Sequence, residues 1–156
     1  RRCCQNRQNF AWWWLMIELV STPEWKDRCY EWIKPKAHLY SDNEKFSYIG
    51  IIEDEKILGV ILFSDYDGNN IFVHVALDTP RACQRKVIKL MFDYIFNQAK
   101  CGRATATCNN SNERIKKLIE GVGFEKEGLM RNAMQIDDTY VDAAVYGMLK
   151  ENCKWV

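Results

Sequence analysis

Residues 46–77 are FSYIGIIEDEKILGVILFSDYDGNNIFVHVAL, in which three short apolar runs are separated by two polar turns. The runs occupy residues 46–52, 57–63 and 71–77 and are rich in the β-branched and aromatic residues that strands favour. The segments between them are charged or contain glycine and asparagine, which is typical of the turns that join neighbouring strands. We therefore predict a meander of three antiparallel strands.

Downstream of the meander, the apolar residues recur first at helical and then at strand spacing. The predicted elements are a helix, a strand, a second helix and two final strands, at residues 81–99, 103–108, 112–122, 124–134 and 141–149. A polar loop, residues 135–140, joins the last two strands. From the last meander strand onward the order is β-α-β-α-β-β. Strands on either side of a helix commonly pair in parallel, so we predict the α/β (α+β) class with a mixed sheet.

A helix is also predicted upstream of the meander, at residues 22–34. Thr22, Pro23 and Glu24 are an N-cap residue, a proline at the first helical position and an acid in the first turn. Pro35 follows the segment and cannot continue a helix.

The most apolar segment lies near the start of the chain and contains Trp12, Trp13 and Trp14. It is shorter than the about 20 apolar residues that span a bilayer, and Glu18 interrupts it, so we predict no membrane span. Few Lys or Arg flank it on a polar face, so an anchor at a membrane surface is the less favoured alternative and we predict no membrane partner. Clustered tryptophans are typical of protein interfaces. Residues 1–20 are therefore predicted either to be a buried element or to contact a partner protein or a second copy of the chain.

The composition predicts one globular domain over residues 1–156. Hydrophobic residues make up 47% and charged residues 28% of the chain, which excludes a disordered polypeptide. The formal net charge of +1 provides no broad basic surface, so we predict no binding to nucleic acid.

The seven cysteines and two histidines lack the paired spacing of a zinc site. The cysteines are irregularly spaced and odd in number, unlike a disulfide framework. We therefore predict reduced thiols, no bound metal and a cytoplasmic location.

Residues 112–128, NERIKKLIEGVGFEKEG, are similar to the pattern N-x-x-S/A…G-F-x-x-E-G. That pattern marks the RimJ/RimL-like branch of the GNAT N-acetyltransferases, and the order of elements resembles their fold. The end of the long helix, residues 92–96, is similar to the same branch. The closing segments 146–149 and 153–155 resemble small members encoded by phages and prophages. The resemblance covers about residues 46–155.

In this family the loop before the long helix has the pattern Q/R-x-x-G-x-G/A, and the helix N-terminus holds the pyrophosphate of acetyl-coenzyme A. Here residues 79–86 are TPRACQRK, so Ala82 and Gln84 replace the two glycines. The resemblance implies that Arg81, Arg85 and Lys86 bind phosphate in compensation. The alternative is a solvated basic helix start or a site that has lost its function.

The resemblance also implies that the pantetheine arm of the donor lies between two diverging strands, at residues 73–77 and 103–108. Asn112 matches the asparagine that anchors this arm, although the same residue would serve equally as a helix N-cap. The predicted donor-binding residues are therefore Val75, Leu77, Arg81, Ala82, Cys83, Gln84, Arg85, Lys86 and Asn112.

His74 is the candidate general base. It lies in the last meander strand, where related enzymes often have a carboxylate, and its ordinary pKa near 6.5 suits proton removal at neutral pH. The alternative is a histidine that only shapes the core or the ligand site. By resemblance, a backbone N–H near Val75 or Ala76 is expected to stabilise the oxyanion.

The general acid is harder to place. The family's tyrosine and serine hydroxyls correspond here to Ile119 and Ile115, which have none. Tyr146 is the candidate acid, with Tyr140 as a second donor, and either residue would equally serve a structural role. Solvent could also protonate the thiolate.

The predicted function is transfer of acetyl from acetyl-coenzyme A to an amine of a protein or small molecule by direct nucleophilic attack. The alternative is a non-catalytic GNAT-like module that binds a partner through the tryptophan segment. The lost glycines and hydroxyls favour the module, whereas His74, Asn112 and the cationic turn favour the enzyme.

Overall fold

The computed structural model describes residues 17–39 and 45–156 of the chain. Within them a seven-stranded sheet has the strand order β1-β2-β3-β4-β5-β7-β6. The strands are β1 Glu18–Val20, β2 Ser47–Glu53, β3 Lys56–Ser64, β4 Asn70–Leu77, β5 Arg103–Asn109, β6 Glu125–Ile136 and β7 Thr139–Leu149. The helices are α1 Pro23–Ile33, α2 Arg85–Asp93 and α3 Glu113–Val122.

The predicted meander is confirmed as β2, β3 and β4, which pair antiparallel in sequence order. The tight turn between β2 and β3 places Asp54 and Glu55 at positive φ. The α2 crossover makes β4 and β5 parallel, whereas the other pairs of the described sheet are antiparallel. The predicted mixed α/β fold is therefore confirmed.

The boundaries of α2 differ from the prediction. Pro80–Ala82 form a separate 3₁₀ turn, because Thr79 Oγ1 accepts the N–H of Arg81 at 3.4 Å and the chain then extends at Gln84. The α-helix begins only at Arg85 and widens into a π-helical turn over Tyr94–Gln98.

The predicted loop at residues 135–140 was wrong for most of its length. β6 runs to Ile136 and β7 starts at Thr139, so a tight turn with Asp137 at a φ of 51° joins them. Pairing of Gln135 with Tyr140 and of Ile136 with Thr139 in the β6–β7 hairpin overrides the polar character of these residues. The short edge strand β1, which the sequence did not predict, pairs with β2.

Apolar residues cover both faces of the sheet. On one face helices α2 and α3 pack on a core that includes Ile61, Phe63, Val73, Val87, Met91, Phe92 and Tyr146. On the other face helix α1 packs on a smaller core that includes Cys29, Ile33, Tyr48, Val60 and Leu62. We refer to these as the α2 face and the α1 face.

Trp12, Trp13 and Trp14 lie outside the described residues, so their predicted interface stays a prediction. The five described cysteines, which are Cys29, Cys83, Cys101, Cys108 and Cys153, are all free thiols. No helix in the described part of the chain is long and apolar enough to cross a membrane.

Candidate functional site

A gap opens in the middle of the sheet, between β4 and β5. Their parallel pairing lasts for three pairs, which end at Phe72 opposite Thr105. β4 then continues to Leu77 and β5 to Asn109 without pairing with each other. A central strand is thus left with an unpaired edge, which offers hydrogen bonds to an added extended chain.

The direction of the free N–H groups follows from the register of β3 and β4. Asp78 donates its N–H to the carbonyl of Leu58 at 2.9 Å, one step beyond the last pair of the ladder. Hydrogen-bonded positions alternate along an antiparallel strand. Val73, Val75 and Leu77 therefore direct their N–H and C=O groups away from β3 and into the gap.

The other end of β4 agrees with this alternation. Asn69 accepts the N–H of Arg103, from β5, on its carbonyl at 3.1 Å. At this end of β4, too, the backbone N–H and C=O groups of odd-numbered residues are directed towards β5.

Solvent reaches the gap on the α2 face. Val75 is 45% exposed, although its antiparallel partner Ile61 is 3% exposed. A valine in the middle of a central strand is normally covered by the neighbouring strand or by a helix. Its exposure therefore shows that no described helix or strand covers β4 at this point, beside the gap.

The turn that leads into α2 does not need glycine for its conformation. Ala82 lies in the 3₁₀ turn and is not among the residues with positive φ, and Gln84 has a φ of −90°, which any L-residue adopts. Ala82 is fully buried in the core of the α2 face, so its Cβ does not stand in the path of a ligand. The replacement of both family glycines therefore causes no backbone strain here.

The cations of the turn differ in their partners. Arg81 forms an ion pair with Glu53 at the end of β2, whereas the guanidinium of Arg85 lies 5.7 Å from the ring centroid of Trp155. Lys86 is exposed. The side chain of Gln84 does not cap the helix, so the positive end of the α2 dipole has no side-chain acceptor from that residue.

Asn112 is the N-cap of α3, as one of its two predicted roles required. Its Oδ1 accepts the N–H of Ile115 at 3.1 Å. Its side-chain NH₂ group has no hydrogen-bond partner among residues 17–39 and 45–156. The cap role therefore leaves the donor end of the amide available to a ligand.

His74 lies on the α1 face, because its cross-strand partner is Leu62 of the core beneath α1. Its Nε2 is 3.0 Å from Oγ of Ser64. Burial lowers the pKa of the imidazole, and the negative charge of Asp65 acts in the opposite direction. The ring is therefore neutral near pH 7 and able to accept a proton.

Ser64 was not predicted from the sequence, although pairing β3 with β4 places it beside His74. It is two residues beyond the partner of His74 on β3, so its side chain is on the same face. Its hydroxyl donates to Oδ2 of Asp65 at 2.6 Å, and the residue is 6% exposed.

Tyr146 lies in the core of the α2 face and is fully buried. Its hydroxyl donates to Oε1 of Glu120 at 3.0 Å. Burial, the hydrogen bond and the charge of Glu120 raise the pKa of the phenol to about 12. The structure therefore places Tyr146 on the opposite face from His74, with its proton engaged, and the acid role stays a prediction.

The variant Tyr146→Phe separates the two roles. We expect it to lower the free energy of unfolding by about 0.5–1.5 kcal/mol, because one net favourable hydrogen bond is lost, whereas the carboxylate of the exposed Glu120 can bond water in its place. We expect kcat to change less than about twofold, since a phenol held this way is not free to protonate a leaving group. Urea unfolding and steady-state kinetics measure the two quantities, and a fall in kcat without a loss of stability would instead support the acid role.

Among the described residues, no three histidine, cysteine, aspartate or glutamate side chains come together as a metal-binding set.

A family model described as an acetyltransferase (GNAT) domain matches residues 4–125. The SPbeta prophage-derived uncharacterized N-acetyltransferase YokL of Bacillus subtilis is 24% identical over 126 residues, which cover 78% of this chain and 69% of the relative. The probable N-acetyltransferase YjcK of the same organism is 26% identical over 120 residues, covering 73% and 66% of the two chains. This chain thus spans about two thirds of the length of both curated relatives.

Solved acetyltransferases share the fold. Mutant forms of the spermidine/spermine N-acetyltransferase SpeG from Vibrio cholerae match with a TM-score of 0.71 and 13% identity, over 86% of this chain and 94% of that one. The ribosomal-protein-S5-alanine acetyltransferase from Vibrio fischeri matches with a TM-score of 0.61 and 22% identity, over 86% and 75% of the two chains.

Proposed function

The chain belongs to the GNAT acetyltransferase family, and from this membership we propose that it is an N-acetyltransferase that moves acetyl from acetyl-coenzyme A to an amine by direct attack. The observation that carries the proposal is the gap between β4 and β5, with its row of inward-directed N–H groups. The motif at residues 112–128 further supports a place in the RimJ/RimL-like branch.

The donor fits the gap. The N–H and C=O groups of Val73 and Leu77 and the C=O group of Val75 can bond the amides of the pantetheine arm as an added strand would. The NH₂ group of Asn112 can donate to the same arm. The exposed Val75 side chain supplies apolar contact beside it.

The pyrophosphate fits the N-terminus of α2. Backbone N–H groups and the helix dipole favour an anion there. Arg85 and Lys86 stand in the first turn and add positive charge. Arg81 contributes less than the sequence suggested, because Glu53 already neutralises its guanidinium.

Acetyl-coenzyme A, when bound, supplies an acyl carbon activated as a thioester and a thiolate leaving group. Val75 N–H, directed into the gap, is the donor we assign to the developing oxyanion. His74 accepts the proton of the acceptor ammonium, and the freed electron pair forms the C–N bond. The second proton lost by the amine nitrogen balances the one that the thiolate gains from solvent, and the Tyr146→Phe variant tests the alternative donor.

The acceptor we propose is a primary amine of a protein or a small molecule. The names of the structural neighbours suggest two probes, a polyamine and a peptide with an N-terminal alanine. The free thiols of the described residues suit a reducing compartment such as the cytoplasm.

A transfer assay tests the proposal. The chain is incubated with acetyl-coenzyme A and, in turn, spermidine, lysine or an alanine-initiated peptide, and the released thiol is followed with a chromogenic disulfide. We expect release that depends on an amine and an acetylated product by mass spectrometry. Release with no amine dependence would contradict transfer, and no release would favour the non-catalytic binding module.

A further inference from the structure

Three polar side chains form a continuous hydrogen-bonded chain where β3 ends. Asp65 accepts the hydroxyl proton of Ser64 on Oδ2, at 2.6 Å. The same Ser64 oxygen lies 3.0 Å from Nε2 of His74. Ser64 is 6% exposed, so water does not compete freely for these bonds.

The number of protons on Ser64, Asp65 and His74 determines the direction of each hydrogen bond between them. A serine hydroxyl has one proton, and an ionised carboxylate only accepts. The proton of Ser64 is therefore directed to Asp65, and towards His74 the hydroxyl can only accept. Nε2 must then carry the ring proton of a neutral imidazole, and Nδ1 carries the lone pair.

The other ring nitrogen is available. Nδ1 of His74 has no hydrogen-bond partner within residues 17–39 and 45–156. The Nε2–H group is hydrogen-bonded, whereas the basic Nδ1 is not. This arrangement suits a general base, because one nitrogen holds the ring in place and the other accepts the proton.

We propose that Ser64, oriented by Asp65, is a positioning residue that holds His74 in its Nε2–H tautomer and makes Nδ1 the atom that accepts the amine proton. The catalytic part rests on the proposed function, whereas the tautomer is a property of the chain itself.

The proton balance is simple. One proton leaves the acceptor ammonium and bonds to Nδ1, while the electron pair that it leaves behind stays on the amine nitrogen. The ring becomes an imidazolium with N–H at both nitrogens. The Nε2–H bond to Ser64 is unchanged by this step, and the Asp65 carboxylate stabilises the positive charge through the hydroxyl.

The tautomer can be read directly from ¹⁵N-labelled histidine rings by NMR, without substrate. The chain has two histidines, so the variant His74→Gln assigns the signals. We expect the Nε2–H form for His74 in the unaltered chain. We expect Ser64→Ala to give a mixture of tautomers and Ser64→Thr, which keeps the hydroxyl, to restore the Nε2–H form.

The kinetic counterpart is a fall in kcat of about 10- to 100-fold in Ser64→Ala, which Ser64→Thr reverses, with KM for the donor unchanged. Ser47→Ala, at an exposed strand end, is the matched control and leaves both readouts unchanged. An Nδ1–H tautomer in the unaltered chain would overturn the proposal, as would a Ser64→Ala variant with the original tautomer and kcat. A chain that transfers no acetyl group but shows the tautomer change would uphold the assignment and contradict the proposed function alone.

Discussion

His74→Ala is expected to lower kcat by about 10²- to 10⁴-fold, the usual contribution of a positioned general base. The Kd for acetyl-coenzyme A should stay the same, because His74 is on the α1 face and the N–H groups assigned to the donor belong to other residues of β4. Steady-state kinetics and calorimetry measure the two quantities. His38→Asn is the control, since His38 has a φ of 52° that asparagine also tolerates.

The pH profile gives the same prediction a second readout. Burial lowers the pKa of His74 from its ordinary value near 6.5, although Asp65 opposes the shift. A general base must be neutral, so kcat should fall as the pH falls through a value below about 6.5. The variant should lose this acid limb. An unchanged kcat, or an unchanged acid limb, would show that His74 is not the base.

Phe92→Ala is expected to lower the free energy of unfolding by about 3–5 kcal/mol. Phe92 is fully buried where α2 meets the sheet. Its ring centroid lies 5.7 Å from that of Phe96 and 5.8 Å from that of Phe124. Removing the ring leaves a cavity between three elements that cannot collapse together. Urea unfolding followed by circular dichroism measures the change.

Leu118→Ala is the control for this prediction, because Leu118 is 41% exposed on α3. It should change stability by less than about 0.5 kcal/mol. A loss of less than about 1 kcal/mol in Phe92→Ala would mean that α2 is not held against the sheet as described.

The strands were predictable where local sequence and pairing agree. The apolar runs of the meander alternate with turn residues, and each strand pairs with the next strand along the chain. The local sequence pattern and the strand pairing therefore predict the same strands. The residues at 135–140 have the composition of a loop but are extended in the structure, because the hairpin of β6 and β7 pairs them almost to the turn. The composition of a segment alone does not predict such pairing.

The candidate site was predictable at the level of elements and less so at the level of contacts. The position of His74 on β4 and of Asn112 at the start of α3 followed from the order of elements. The ion pair of Arg81 with Glu53 joins the 3₁₀ turn before α2 to the end of β2, so it depends on how the fold brings these two segments together. The engagement of Tyr146 by Glu120 is likewise a tertiary contact.

The most direct test of the account is a calorimetric titration of the chain with acetyl-coenzyme A, repeated on Val75→Trp. Val75 is exposed in the gap, so tryptophan should fill the space assigned to the pantetheine arm without disturbing the core. Leu118→Trp, on the exposed face of α3, controls for an added surface ring.

We expect one site per chain in the unaltered protein and in Leu118→Trp, and a loss of affinity of at least about tenfold, or about 1.4 kcal/mol, in Val75→Trp. Folded protein that does not bind the donor, or a Val75→Trp variant that binds it as tightly as the unaltered chain, would contradict the claim that the gap between β4 and β5 is the donor site.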